Sequence, residues 1–295
     1  MMTETMTVFK HIDLHTHSEV SDGTDTPEML LEHVKEAGID LFSLTDHDAV
    51  KGAQRICQSL KAGDPCFITG AEFSCKDQEG KYHILGYGYD PDSEPIRKLV
   101  KKAHSYRMDK VKSRLFLLKE KFGITFPESE LAALWSLDNP GKPHIGNLMV
   151  RYGYVKTKEE GIEEYINKVR TRTEYVKPEE AIRGIAEAGG IPVLAHPSYG
   201  DGDQLILGDE MDARIRRLLE FGLKGLEGFY SGFTKVIRGE ILDFAERYGL
   251  YVTAGSDYHG GNKIVRLGDT GLTDETEWPD GLRRFVKDVR ISGQA

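Results

Sequence analysis

The sequence predicts an α/β fold with a largely parallel sheet. Short apolar runs recur along the chain, and amphipathic stretches with helix-capping residues lie between several of them. The runs are nearly continuous in apolar residues, as is typical of strands buried on both faces in a parallel sheet. Alternation of such strands with helices is typical of α/β folds.

Seven runs are candidate strands, and three stretches between them show clear helix signals. The helix 26–38 has Thr26 as a cap, Pro27 at its first position and Gly38 near its end, and the stretches 177–190 and 235–249 end similarly at glycines. The candidate strands are HIDL (11–14), LFSLT (41–45), CFITGAE (66–72), YHILGYG (82–88), IPVLAH (191–196), GLEGFY (225–230) and LYVTAGS (250–256).

Residues 91–177 break this alternation, because they show helical patterns and no convincing strand. The stretch 94–123 has an apolar stripe at helical spacing and predicts one long helix. Residues 95–121 contain ten Lys or Arg and only two acidic residues. We expect a helical insertion at 91–177 that covers a site in an α/β domain formed by 8–90 and 178–295.

Composition excludes several classes of protein. The 295 residues carry a formal net charge of −9, which disfavours coating of duplex DNA through the general surface. Three cysteines are too few for a disulfide framework and favour reduced thiols in the cytoplasm. We expect no signal peptide and no membrane span, because no suitable apolar segment is present. The sequence leaves the oligomeric state open.

Candidate metal ligands occur in or just after most of the strands. His15 and His17 follow the first strand at positions i and i+2, which share a face of an extended chain. Asp257 and His259 have the same spacing after the last strand. The other residues of this type are Asp22, His47, Glu72, His83 and His196. We expect them to converge, because function gathers at the carboxyl ends of the strands in α/β barrels.

The ligand types indicate the kind of metal and of chemistry. Imidazole and carboxylate without thiolate suit Zn, Mn or Fe(II). Nine ligands exceed the number that one catalytic ion uses, so two or three divalent ions with Glu72 as a bridge fit better. Such a site can convert water to hydroxide near neutral pH and clamp an oxyanion, and hydrolysis of phosphate esters is its natural use.

The stretch DLHTHSEVSDGTDTPEMLLEHVKEAGIDLFSLTDHDAVKGA strongly resembles the opening of the PHP (polymerase and histidinol phosphatase) family of metal-dependent phosphoesterases. The resemblance continues through GAEFS, YHILGYGYD, VLAHPS and TAGSDYHG, and it spans about residues 11–262. It implies a distorted (β/α)7 TIM-like barrel with a trinuclear metal site.

The resemblance also implies how the ligands are shared among three ions. The first ion would be held by His15, His17, Glu72 and Asp257. The second would be held by Glu72, His83 and His196, and the third by Asp22, His47 and His259. Some members of the family have a histidine in place of Asp22. Asp46, beside His47, is expected to orient an imidazole or the nucleophile from behind the ligands.

The stretch GKPHIGNLMVRYGYV resembles the branch of the family that acts on nucleoside 3′,5′-bisphosphates and on the 5′ ends of short RNA. That branch often has an arginine where this chain has Lys142. His144 is then a candidate substrate contact or proton donor, and Arg107 is a candidate phosphate clamp. Tyr230, the last residue of the sixth strand, and Ser231, which follows it, are further candidate substrate contacts.

These residues together predict a metal-dependent phosphohydrolase that acts on a small phosphorylated substrate, either a nucleotide or short RNA. The alternative within the same class is a small-metabolite phosphatase of the histidinol-phosphate type. A metal-dependent amidohydrolase is disfavoured, because no lysine stands at a strand end. A binding module without activity is disfavoured by the complete ligand set.

Overall fold

The computed structural model describes residues 9–171, 174–200, 204–273 and 275–292. The predicted boundaries at residues 8 and 295 lie outside these described residues. Within them the chain forms a seven-stranded sheet in the order β1 to β7, with helices packed against it. The predicted α/β class is confirmed, and the architecture is that of a distorted TIM-like barrel.

The seven predicted strands are all present. β3 is the one whose bounds differ most from the prediction, since it runs to Lys76 instead of ending at residue 72. The strands are β1 (Ile12–Thr16), β2 (Leu41–Leu44), β3 (Cys66–Lys76), β4 (Lys81–Tyr87), β5 (Ile191–Leu194), β6 (Gly225–Tyr230) and β7 (Tyr251–Gly255).

β4 runs against the direction of its neighbours. It pairs antiparallel with both β3 and β5, whereas the other described strand pairs are parallel. A tight turn joins β3 to β4, in which the amide of Asp77 donates to the carbonyl of Gly80 at 3.0 Å. The beginning of β4 therefore lies at the same end of the barrel as the carboxyl ends of the parallel strands.

Contacts between the ends of β1 and β7 close the barrel. The amide of His17 donates to the carbonyl of Tyr258, and the amide of Asp257 donates to the carbonyl of His15, both at 2.8 Å. Thr16 and Tyr258 form a parallel bridge beside them. The first and last ligand motifs of the sequence are thus hydrogen-bonded to each other through their backbones.

The four helices that the sequence predicts, at 26–38, 94–123, 177–190 and 235–249, are present as α1, α3, α7 and α9. The hydroxyl of Thr26 accepts the amide of Met29 at 3.1 Å, and Gly123 ends the longest helix in a left-handed conformation with φ of 68°. None of the helices in the described part of the chain could span a membrane. They are α1 (Pro27–Glu36), α2 (Lys51–Ser59), α3 (Glu94–Phe122), α4 (Glu128–Trp135), α5 (Lys142–Arg151), α6 (Lys158–Glu160), α7 (Pro178–Glu187), α8 (Gly208–Glu220), α9 (Lys235–Arg247) and α10 (Asp280–Asp288).

Helix α3 contributes to two separate hydrophobic cores. Ile96 and Leu99, in its first half, pack in the main core around the strands. Val111 and Leu118, in its second half, pack in another core with residues of α4 and α5. The helix therefore connects the barrel to the structure formed by the rest of 91–177.

Candidate metal centre

The nine side chains predicted as metal ligands lie together at one end of the barrel. Eight of them stand at or near the carboxyl ends of parallel strands, or in the loop after β1. His83 belongs to the first half of β4 and reaches the same place because that strand is antiparallel. The nine are His15, His17, Asp22, His47, Glu72, His83, His196, Asp257 and His259.

The deepest group consists of His15, His17 and Asp257. The Nε2 atoms of the two histidines are 3.1 Å apart. Asp257 Oδ1 lies 3.5 Å from His15 Nε2 and 3.3 Å from His17 Nε2. Both imidazoles are fully buried and Asp257 nearly so. The three donor atoms therefore point at one buried position.

Glu72 joins this group to a second one. Its Oε2 lies 3.2 Å from His15 Nε2 and 3.3 Å from His17 Nε2. Its Oε1 lies 2.8 Å from His83 Nδ1 and 3.2 Å from His196 Nε2, which are themselves 3.2 Å apart. Each oxygen of the carboxylate thus faces a different set of imidazoles, as a bridging ligand does.

The third group surrounds Asp22. Its Oδ1 lies 3.2 Å from His259 Nε2, and its Oδ2 lies 3.9 Å from His47 Nε2. His47 also faces Glu72, with its Nδ1 3.2 Å from Oε2. About a third of the side chain of Asp22 is exposed, as is a third of that of His83. The centre therefore opens to solvent on the side of these two residues.

The geometry of the three groups fits divalent ions. Two donor atoms bound to one ion at about 2.0–2.2 Å lie roughly 3 Å apart when they are adjacent, and many distances in the groups are close to that value. The donors are imidazole nitrogens and carboxylate oxygens, a set that suits Zn, Mn or Fe. The described residues thus contain clusters that could hold metal ions.

Electrostatics keeps the carboxylates of the centre anionic. Burial alone would raise the pKa of Glu72, but the surrounding imidazoles, led by His47, hold it well below the ordinary value. Burial is likewise outweighed at Asp257, whose pKa is held low chiefly by His15. Burial lowers the pKa of His47, which favours the neutral imidazole. Metal ligation requires anionic carboxylates and neutral imidazoles, so an ion that binds here must also displace the proton that the nearby carboxylates favour on His15 and His17, whose pKa values they raise.

The backbone at the centre adopts rare conformations. His196, Asp257 and Asp48 have φ values of 26°, 62° and 53°, in or near the left-handed region that residues with a Cβ avoid. Each stands directly at or next to a predicted ligand. Non-glycine residues in this region cluster at functional sites, where the surrounding structure holds them.

Glu227 contacts two of the candidate ligands and was not identified from the sequence. Its Oε1 accepts a hydrogen bond from His15 Nδ1 at 2.8 Å, and its Oε2 accepts one from the amide of His196 at 2.7 Å. The first bond fixes the tautomer of His15, so that Nε2 is free to bind a metal. An acidic residue inside the apolar run GLEGFY was the available signal.

The other oxygen of Asp257 is also held. Its Oδ2 accepts hydrogen bonds from the hydroxyl of Tyr230 at 3.0 Å and from Nζ of Lys263 at 2.6 Å. Tyr230, predicted as a substrate contact, thus contacts a candidate ligand. Ser231 follows it at the end of β6 and is partly exposed. Sequence reasoning did not identify Lys263.

Asp46, predicted to orient an imidazole or the nucleophile, is buried, and the hydrogen bonds that it accepts come from serines. It accepts from the amide and hydroxyl of Ser18, both at 2.8 Å, and from the hydroxyl of Ser21 at 2.7 Å. Ser21 Oγ is in turn 3.5 Å from His17 Nδ1. Asp46 therefore anchors the loop that carries Asp22 and reaches an imidazole only through Ser21.

Arg107 extends from α3 to the edge of the metal centre. Its guanidinium donates to Asp48 Oδ2 at 2.6 Å, and Asp48 follows the candidate ligand His47 in the chain. The backbone amide of Asp48 donates to the backbone carbonyl of Glu72. This bond fixes the position of Asp48, and so of its carboxylate, next to the centre. A candidate phosphate clamp thus lies beside the ligands.

His144 and Lys142 begin helix α5. The Nδ1 of His144 accepts the amide of Gly141 at 3.1 Å, so a neutral ring carries its proton on Nε2. Burial lowers the pKa of His144, while Asp22 counteracts this shift. Lys142 donates to Asn167 Oδ1 at 2.6 Å. Asp22 belongs to the third group of candidate ligands, so the imidazole of His144 is affected by the charge of the centre.

Comparison with known proteins agrees with this geometry. A family model described as the PHP domain matches residues 13–221. A phosphoribosyl 1,2-cyclic phosphate 1,2-diphosphodiesterase of Eggerthella lenta is 27% identical over 88% of this chain and 97% of its own length. A 3′,5′-nucleoside bisphosphate phosphatase of Chromobacterium violaceum is 26% identical over 90% and 92% of the two chains.

Two further proteins extend this set. A 5′-3′ exoribonuclease of Haemophilus influenzae is 27% identical over 88% of this chain and 93% of its own length. A crystal structure named as a metal-dependent phosphoesterase of Bifidobacterium adolescentis superposes with a TM-score of 0.79 at 29% identity, over 94% and 96% of the two chains. The chain belongs to the PHP domain family and is a metal-dependent phosphoesterase.

Proposed function

We propose that this phosphoesterase acts on small phosphorylated nucleotides that carry a second phosphate. It would release phosphate from nucleoside 3′,5′-bisphosphates or nucleotides from the 5′ ends of short RNA, the substrates named for two of its relatives. The observation that carries this proposal is the position of Arg107, whose positively charged guanidinium lies beside the candidate metal centre, on Asp48. A second phosphate bound there would leave the first at the centre.

We propose that the nine candidate ligands hold two or three divalent ions of Mn, Fe or Zn, shared as the family resemblance implies. Glu72 supports this proposal, since its two oxygens face two different sets of imidazoles. Bound ions of this kind supply an activated water molecule and neutralise the phosphoryl oxygens. Glu227, Tyr230 and Lys263 would keep the first group of ligands in position.

His144 is our candidate for the group that contacts the substrate or protonates the leaving oxygen. The hydrogen bond from Gly141 leaves Nε2 as the atom that carries the proton. An arriving phosphate would favour the protonated ring, because a nearby negative charge raises the pKa of an imidazole. Arg107 would bind the same phosphate, and Lys142 would add positive charge.

The substrate would be covered by residues 91–177, which we propose to act as a helical insertion over the barrel made of 8–90 and 178–295. Contacts between the two parts support this role. Lys158 of α6 donates to Asn262 Oδ1 at 2.7 Å, and Asn262 Nδ2 donates to the carbonyl of Asp22 at 2.7 Å. The insertion is thereby connected to the loop that carries a candidate ligand.

The aromatic residues beside His196 suit the flat base of a nucleotide. The ring centroid of Tyr199 is 6.4 Å from that of His196 and 5.9 Å from that of Tyr230. Stacking on such rings accommodates any base.

Free thiols at Cys57, Cys66 and Cys75 suit the reducing cytoplasm, which we propose as the location.

Turnover measurements separate this function from the histidinol-phosphate alternative. The purified protein with Mn is assayed on an aryl phosphate, a nucleoside 3′,5′-bisphosphate, a 5′-phosphorylated short RNA and histidinol phosphate. We expect kcat/KM to be highest for a substrate with two phosphates. His196→Ala should abolish turnover, and His11→Ala, an exposed histidine away from the centre, should leave it unchanged.

A higher kcat/KM on histidinol phosphate than on either nucleotide substrate would support the alternative and reject the proposed substrate class. Full activity of the His196→Ala variant would reject the proposed metal centre itself.

A further inference from the structure

Lys263 lies on the open side of the candidate metal centre. It follows Asn262, whose side chain donates to the carbonyl of Asp22, and Asp22 is one of the two candidate ligands at which the centre meets solvent. The same Asn262 accepts a hydrogen bond from Lys158 of the insertion. The side chain of Lys263 is 41% exposed. A substrate that approaches the centre from this side would therefore meet its ammonium group.

The partner of Lys263 is a carboxylate that the metal centre also uses. Its Nζ donates to Oδ2 of Asp257 at 2.6 Å. The other oxygen of that carboxylate, Oδ1, lies 3.5 Å from His15 Nε2 and 3.3 Å from His17 Nε2, in the deepest group of candidate ligands. An ion on Oδ1 and the ammonium group on Oδ2 would share one negative charge. The charge of Lys263 would then be only partly compensated.

Lys263 is not the sole support of Asp257. The hydroxyl of Tyr230 donates to the same Oδ2 at 3.0 Å, and the backbone amide of Asp257 donates to the carbonyl of His15 at 2.8 Å. A lysine has three donors at the end of a flexible stem of four carbons. The contact with Asp257 uses one of the three donors of Lys263. This side chain can therefore contact a second anion while it stays on the carboxylate.

A phosphate group is the anion that suits Lys263. The enzyme hydrolyses phosphate esters, and a phosphate monoester carries about −1.5 to −2 charge at neutral pH. Lysine binds phosphate as a compact point charge, through charge-assisted hydrogen bonds. Arg107 pairs with Asp48, which is not a candidate ligand. Lys263 pairs with a candidate ligand itself, so it is the better placed of the two cations to contact the phosphate that reacts.

We propose that Lys263 is a phosphate-binding residue of the active site. Its ammonium group would connect Oδ2 of Asp257 to a non-bridging oxygen of the phosphate that is hydrolysed. The contact is electrostatic and transfers no proton. It would neutralise charge on the phosphoryl oxygens, together with the ions. This inference rests on the proposed metal centre, because the reacting phosphate must lie there.

Binding of inorganic phosphate tests this role, because phosphate is a product of the reaction and carries no other part of the substrate. Isothermal titration calorimetry on the Mn-loaded enzyme measures its Kd. We expect Lys263→Met to raise this Kd about tenfold, as for the loss of one charge-assisted contact. Lys263→Arg keeps the charge and should stay within about threefold of the wild type. An unchanged Kd in Lys263→Met would overturn the proposal.

Titration with Mn separates phosphate binding from the positioning of a ligand. If Lys263 only held Asp257 in place, Lys263→Met would weaken Mn binding, and excess Mn would restore both phosphate affinity and kcat/KM for an aryl phosphate. We expect instead that the variant binds Mn no more weakly than the wild type, because it lacks a cation that shares Asp257. At saturating Mn its kcat/KM should remain about tenfold lower. Recovery of both quantities in excess Mn would reject phosphate binding.

Lys224→Met is the matched control, since Lys224 is exposed and stands just before β6, at the opposite end of the barrel from the metal centre. It should change neither the Kd of phosphate nor the affinity for Mn. Failure of the proposed metal centre would be recognised separately. Wild-type protein that binds no Mn would reject the centre itself. Wild-type protein that binds Mn, but binds phosphate no more tightly than Lys263→Met, would reject this inference alone.

Discussion

Glu227 connects two parts of the metal centre that come from distant strands. Through one oxygen it orients the ring of His15, and through the other it holds the amide of His196 in a rare backbone conformation. Gly255 makes this arrangement possible, because a Cβ there would lie 2.2 Å from the Cβ of His15 and 2.7 Å from Glu227 Oε1. A carboxylate behind the ligands thus controls two of them.

We predict that Glu227→Gln lowers the affinity for metal without removing a ligand. A glutamine keeps the shape but can accept only one of the two hydrogen bonds. Loss of such a partner lowers metal affinity by about 10–100-fold. Activity measured against metal concentration should therefore shift to higher concentration and recover in excess metal. Activity that stays low at saturating metal would contradict a positioning role.

Lys110 gives a prediction about pH. Burial and the neighbouring cations lower its pKa to about 7 in the folded protein, whereas a free lysine has a pKa of about 10.4. Between these values the unfolded chain binds more protons, so the free energy of unfolding should rise from about pH 7 to pH 10. Below pH 7 Lys110 is protonated in both the folded and the unfolded state, and the buried charge then lowers the free energy of unfolding by its full amount.

Lys110→Met should therefore be more stable than the wild type at pH 7, by on the order of 2 kcal/mol after allowance for solvent relaxation. The difference should shrink as the pH approaches 10. Urea unfolding of both proteins between pH 6.5 and 9.5 measures it. A difference that does not change with pH would show that lost packing, and not charge, is responsible.

Single residues of the centre were predictable where the signal is local. His15 and His17 at spacing i, i+2 after an apolar run share a face in any strand, so the pair predicts convergence. Glu227 and Lys263 give no such signal. Glu227 occurs alone in a strand, and Lys263 lies after the last ligand motif; only their contacts in the fold distinguish them.

At the level of secondary structure, the direction of β4 is the feature that the sequence pattern did not give. An apolar run predicts a strand but not its orientation. The short connection 77–80 was a usable signal, because parallel strands need a crossover of a dozen or more residues. Without the reversal, His83 would lie at the opposite end of the barrel from Glu72.

Helix α3 was predictable in extent, but its two roles were not. Its periodic stripe predicts one helix, and the structure has one from Glu94 to Phe122. The stripe continues unbroken from the main core into the second core, so the division between Ala103 and Val111 is invisible in the pattern. Arg107 stands beside the stripe at that division, between Ala103 and Val111.

The basic side chains of α3 lead to a prediction about salt. If these side chains bind phosphate, then raising NaCl from about 50 to 500 mM should raise KM for a nucleoside bisphosphate about tenfold, and KM for an aryl phosphate only about twofold, because salt screens extended charges most. Steady-state kinetics of both substrates measures the two effects. Equal salt sensitivity would indicate that the helix merely presents a solvated face.

At the scale of the whole molecule, the candidate metal centre is built from residues of most of the strands of the barrel. Its candidate ligands come from β1, β3 and β4 and from the residues after β1, β2, β5 and β7. The chain ends of the barrel meet through Asp257 and His15. The sequence resemblance could predict that these residues converge. The distances between their donor atoms, which would decide how the residues share ions, are known only from the folded structure.

This arrangement predicts that metal removal destabilises the protein as a whole. Ions that bind the folded state and not the unfolded chain stabilise it by about 4 kcal/mol when present at 1,000 times their Kd. For a chain of this size that corresponds to a fall in Tm on the order of 10 °C after chelation. Differential scanning calorimetry before and after treatment with a chelator measures the change, and added Mn or Zn should reverse it. His196→Ala should show a smaller fall because it lacks one ligand, whereas His11→Ala should match the wild type. A Tm that chelation leaves unchanged, in protein shown to have lost its metal, would mean that the ligands are held in place by the barrel alone.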